Sequence, residues 1–249
     1  MEELLKIMYR LRRECPWDAK QTHRSLKPYL LEETYEVLDS IDEENWDELA
    51  SELGDLLLQI IFHSEIASEK GYFNYDTVVE KISKKLIERH PHVFDKEIVK
   101  NAEDVQRNWE HIKVRSEKRD SLLNGVPSTS PALLQAQRLQ EKAASVGFDW
   151  DSIHPVMEKL EEEWNELKEA VETGSLEKVK NEYGDLLFTL VNLARFLNIE
   201  SEDSLRLTNK KFINRFNYIE KKYGHDLNAM KSAGLEEMDR LWEEAKNKE

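Results

Sequence analysis

Sliding the chain past itself by 130 residues superposes two groups of acids, and no other feature restricts its fold so tightly. Glu32-Glu33-Thr34-Tyr35-Glu36 falls on Glu162-Glu163-Trp164-Asn165-Glu166, and Glu52-Leu53-Gly54-Asp55-Leu56-Leu57 falls on Glu182-Tyr183-Gly184-Asp185-Leu186-Leu187. Over residues 31 to 60 eight positions are identical, and five of them are carboxylates: Glu32, Glu33, Glu36, Glu52 and Asp55. Residues 37–51 share no identity with 167–181, yet the two segments have the same length. Length kept while sequence drifts marks an internal repeat whose geometry matters.

Within each copy the acids recur three residues apart, so Glu33 and Glu36 share one helical face and Glu52 and Asp55 share another. The segment between them contains a helix break and restart, Asp42-Glu43-Glu44-Asn45 in the first copy and Thr173-Gly174-Ser175 in the second, with Asn45 and Ser175 as N-cap residues. Two helices joined by so short a turn form an antiparallel hairpin that brings both acid pairs together. Four converging carboxylates resist ionisation unless a cation lies between them. An all-oxygen set selects Mg²⁺, Mn²⁺ or Ca²⁺. A di-iron bundle needs a Glu-x-x-His pair, and the i+3 partners of Glu33, Glu52, Glu163 and Glu182 are all acids. The bland alternative is a solvated ion network on a helix face; duplication at identical spacing, with Leu53, Leu56, Leu57 and Ile60 interleaved, favours a functional site.

Only 8 Gly and 6 Pro occur in 249 residues, against roughly 12% in ordinary soluble proteins, and they punctuate segments of helical periodicity. No alternating β-branched run reads as a strand, so the chain is expected to be all-α. Turn formers cluster once, over Asn124 to Pro131. That predicts two tandem helical-bundle domains, 1–123 and 132–249, joined by a linker at 124–131. With 36 Lys+Arg and 51 Asp+Glu the net charge is −15, which argues against a nucleic-acid polymer as partner. No apolar run reaches the roughly 18 residues of a membrane span. The N-terminus lacks a signal-peptide pattern, and the single cysteine, Cys15, forms no internal disulfide. A cytoplasmic protein is expected. Trp17, Trp46, Trp150 and Trp164 are read as core or hairpin packing, and His90-Pro91-His92 as a turn.

Glu-Glu-x-x-Glu followed 15 residues later by Glu-x-Gly-Asp-Leu-Leu resembles the MazG family of all-α nucleoside triphosphate pyrophosphohydrolases. Cys15-Pro16-Trp17-Asp18 and the Gly125-Val126-Pro127-Ser128…Pro131-Ala132-Leu133 phrase carry the same resemblance. It implies Mg²⁺-dependent cleavage of NTPs and dNTPs to monophosphate and pyrophosphate. On that resemblance Glu33, Glu36, Glu52 and Asp55, with Glu163, Glu166, Glu182 and Asp185, hold the metal. Glu32 and Glu162 are the candidate general bases.

A triphosphate needs further cations, and a base needs a flat apolar surface. Lys211 with Arg215, and Trp242 with Lys246, each lie four residues apart on one helical face, and they resemble the family's phosphate- and base-contacting elements. Lys85 with Arg89 and Trp109 with Lys113 form a parallel set in the first half. Hairpins bury little area alone, so a homodimer is expected. The alternatives are a non-enzymatic acidic helical adaptor, or an all-α hydrolase restricted to one base in the manner of a dUTPase or dCTPase.

Overall fold

The structure is a computed structural model that describes residues 1–95 and 120–248. Every regular element among the described residues is helical. None of these helices is long and apolar enough to cross a membrane. The chain divides into two compact units, Met1–Lys100 and Asn101–Glu249.

In the first unit α1 (Glu2–Glu14) and a 3₁₀ turn (Asp18–Lys20) precede a hairpin of α2 (Lys27–Asp42) and α3 (Trp46–Glu69), then α4 (Tyr75–Arg89) and the short α5 (Pro91–Phe94). Helix α3 starts where the Asn45 side chain accepts a hydrogen bond from the Glu48 amide, and α4 where Asn74 caps Thr77 in the same way. The core gathers Met8, Leu26, Ile61, Phe62 and Ile66, so α1 and α4 pack on the second half of α3. At roughly 1.5–3 kcal/mol for each fully buried side chain, this cluster anchors the unit. The first half of α3, which carries Glu52 and Asp55, packs along α2.

The second unit has α6 (Ala132–Ala144), a hairpin of α7 (Ile153–Thr173) and α8 (Leu176–Phe196), and a second hairpin of α9 (Ser201–Lys222) and α10 (Leu227–Lys246). Helix α6 packs on α8 as α1 packs on α3, and Val156 and Val191 are fully buried. Ile219, Met230 and Leu241 close the α9–α10 hairpin. Asp226 caps α10 through the amides of Asn228 and Ala229. Ser175 stands at the N-cap of α8, yet its hydroxyl makes no capping hydrogen bond.

The tryptophans depart from expectation. Trp17, Trp46 and Trp164 are each more than half exposed, and Trp150 is 39% exposed against a cavity. Trp46 opens α3 and Trp164 lies on α7, while Trp17 meets Tyr29 of α2 edge-on at 5.9 Å between ring centres. His90 ends α4 and His92 lies on α5, so the His-Pro-His segment is a break between helices, as expected.

Candidate metal centres and the cavity beside one of them

The two hairpins pair their acids by simple register. Positions 36 and 52, like 33 and 55, are equally far along the chain from the turn residue Glu44, as 166 and 182, and 163 and 185, are from Gly174. Carboxylate oxygens of Glu33, Glu36 and Glu52 lie within 4.8 Å of one another, as do those of Glu163, Glu166 and Glu182. Asp55 stands just outside its group, close enough to raise the pKa of both Glu33 and Glu52. Asp185 lines a cavity together with Glu163.

Crowding shows in the titration of these acids. Burial pushes the Glu33 carboxyl up, and Asp55 and Glu36 add to the effect, while the Gln59 amide opposes it. Glu52 is raised by desolvation, then by Glu36, Glu48 and Asp55. Glu166 is raised by desolvation and then by Glu163, with Lys159 opposing. Buried Glu163 is 5% exposed, and its Oε2 has no hydrogen-bond partner in the protein. An orphaned buried carboxylate oxygen among like charges suits a small hard divalent cation, which takes oxygen ligands and relieves the repulsion.

The remaining sequence candidates are placed differently. Glu32 and Glu162 are exposed and outside both groups of three. The Lys159 ammonium lies 2.8 Å from both Glu162 and Glu163, and these two hydrogen bonds raise its pKa. Sequence reasoning passed over Lys159, although its i,i+3 and i,i+4 spacing to these acids was legible. The corresponding residue of the first unit is Tyr29. On the α9–α10 hairpin the Arg215 guanidinium stands 5.4 Å from the Trp242 ring centre, and Phe212 packs 5.2 Å from the same ring. Lys211 is exposed, and Lys246 pairs with Glu243 at 3.4 Å. None of Lys211, Arg215, Trp242 and Lys246 lines the cavity beside Glu163. Lys85 borders a separate cavity of about 270 Å³, and Arg89 is half-buried one turn further along α4. Trp109 and Lys113 lie outside the described residues.

The cavity beside Glu163 holds about 620 Å³ and is walled by Gln140, Phe148, Trp150 and Asn192 as well as by the acids. Its size suits a small organic ligand next to a cation.

The MazG nucleotide pyrophosphohydrolase domain model matches the chain twice, over residues 21–94 and 151–219, with one carboxylate hairpin inside each match. The chain belongs to the MazG family of nucleotide pyrophosphohydrolases. Its similarity to the "nucleoside triphosphate pyrophosphohydrolase/pyrophosphatase MazG" of Thermotoga maritima is 45% identity, covering 98% of this chain and 95% of that one. It is 42% identical to the nucleoside triphosphate pyrophosphohydrolase of Escherichia coli K12, covering 100% and 98% of the two chains. The Bacillus subtilis protein YabN is 49% identical over 94% of this chain, which spans about half (49%) of YabN. Tandem MazG domains account for the 130-residue repeat, and family membership removes the non-enzymatic adaptor from consideration.

Proposed function

We propose that this MazG-family hydrolase uses Mg²⁺ to convert NTPs and dNTPs to the monophosphate and pyrophosphate, with water attacking the α-phosphorus. The observation that carries this reading is the repeated convergence of three carboxylates, one of which, Glu163, borders a ligand-sized cavity. Glu33, Glu36, Glu52 and Asp55 would hold the cation in the first unit, and Glu163, Glu166, Glu182 and Asp185 in the second. Mn²⁺ suits the same oxygen donors. When bound, the cation supplies charge neutralisation for the triphosphate and for the leaving pyrophosphate.

The chain's own residues do the rest. Glu32 and Glu162, each adjacent to a ligand, are proposed to take the proton from the attacking water. Lys159, whose ammonium lies 2.8 Å from Glu163, would be placed to pair with a phosphate oxygen instead if Glu163 held the cation. Lys211, Arg215, Trp242 and Lys246, with Lys85, Arg89, Trp109 and Lys113 in the first half, are proposed to contact the nucleotide. We read 1–123 and 132–249 as the two domains, 124–131 as their linker, and the cytoplasm as the place of action. The broad apolar face around the acids, including Leu31, Tyr35, Leu53 and Ile60, supports a homodimer. Replacing the carboxylates tests the assignment directly. The double variant Glu33→Gln/Glu163→Gln is expected to lose at least about a hundredfold in kcat with Mg²⁺ present, while keeping its helical circular-dichroism signal. Full turnover by that variant overturns the carboxylate assignment.

A further inference from the structure

The two carboxylate hairpins carry the same four acids but differ in charge at the position one turn before Glu33 and Glu163. In the second unit that position is Lys159, whose ammonium stands 2.8 Å from an oxygen of Glu163 and 2.8 Å from one of Glu162. In the first unit it is Tyr29, which brings no ammonium. Glu33 is met instead by the neutral amide of Gln59, whose counterpart in the second unit is Thr189.

An ion pair four residues apart on an exposed helix is usually worth little, because water screens it. This pair differs at its acidic end: the Glu163 side chain is 7% exposed, and its second oxygen, Oε2, has no partner in the protein. A divalent cation that takes Glu163 as a ligand therefore shares one poorly solvated carboxylate with an ammonium, and the two positive charges repel at short range. A triphosphate changes that balance, since its oxygens offer the ammonium a partner in place of Glu163. Resting on the metal-dependent hydrolase reading above, we propose that the first unit binds its divalent cation without substrate, whereas the second unit takes its cation together with the triphosphate, because Lys159 holds Glu163 until a phosphate replaces it. Lys159 is thus the residue that couples cation loading to substrate, and Tyr29 is the reason that the first unit lacks the coupling.

Binding of Mn²⁺ to the full chain at neutral pH, read from the electron paramagnetic resonance signal of the free ion, measures this without turnover. Native protein is expected to show two classes of site whose dissociation constants differ by at least about tenfold, the tighter class lost in Glu33→Gln and the weaker in Glu163→Gln. Lys159→Met is expected to tighten the weaker class about tenfold, and Lys159→Arg to leave it weak. Lys168→Met, which removes from the same helix a charge that lies over the Trp164 ring, is expected to leave it weak as well. A triphosphate analogue with a methylene bridge between its α and β phosphorus atoms is expected to tighten the weaker class in native protein, and by a smaller factor in Lys159→Met. Melting curves verify that each variant folds. A single class of sites in native protein, or a weaker class that Lys159→Met leaves unmoved or that Lys168→Met moves equally, overturns the proposal. Mn²⁺ binding that neither glutamine variant alters overturns the cation assignment on which the proposed function itself rests.

Discussion

Glu33, Glu52 and Glu166 keep their protons to higher pH than an ordinary glutamate, because each is desolvated on a packed helix face among other acids. A group whose folded pKa is raised contributes stability below its unfolded value, 4.5 for glutamate, and loses that contribution as pH rises through the folded value. Glu69 behaves in the opposite sense. Its hydrogen bonds to Arg12 hold it below the usual range, so its contribution is present above that range and fades as the medium is acidified. Comparing native protein with Glu33→Gln separates the two effects. In EDTA the native chain is expected to lose stability relative to the variant as pH rises from about 4 to about 7. With Mg²⁺ at neutral pH the order reverses, since a cation at a hundred times its Kd stabilises by about 2.7 kcal/mol. Melting temperatures that ignore Mg²⁺ in the native chain would contradict the cation site. The carboxylates were legible in the sequence because their chemistry is local, three residues apart on one helix. The place of Gln140 in the cavity wall was not, because the Phe188 carbonyl to which it donates lies 48 residues away.

At the scale of helices, the repeat did most of the work. It located both hairpins, their turns and the face that carries the acids, and the observed register about Glu44 and Gly174 follows from equal segment lengths. The same comparison exposes a weak point. Gly174 ends α7 with φ of 69°, a left-handed conformation that glycine adopts freely, whereas Glu44 holds the equivalent turn at φ of 52° against the steric preference of its Cβ. Glu44→Gly is expected to stabilise the first unit by about 0.5–1 kcal/mol in urea unfolding, the left-handed penalty less the added freedom of the unfolded glycine. A destabilised variant would show that Glu44 contributes contacts beyond its backbone. What the repeat could not reveal is the cavity, which forms where α6 meets α8. Apart from Glu163 and Asp185, its lining residues differ between the copies, so the internal comparison does not point to it.

For the whole molecule, the large apolar side chains left on both hairpins argue for association. Leu31, Leu53, Trp164 and Tyr183 are each about half exposed, at 57%, 49%, 52% and 56%. Sedimentation at micromolar concentration is expected to give about twice the chain mass of 29.4 kDa, and a monomer would contradict the homodimer. Family membership makes the protein a nucleotide pyrophosphohydrolase. The most direct measurement is the identity of its products: purified full chain, Mg²⁺ and a panel of NTPs and dNTPs, with pyrophosphate and orthophosphate assayed separately. Monophosphate with an equal amount of pyrophosphate is the result expected from attack at the α-phosphorus. Diphosphate with orthophosphate would contradict it.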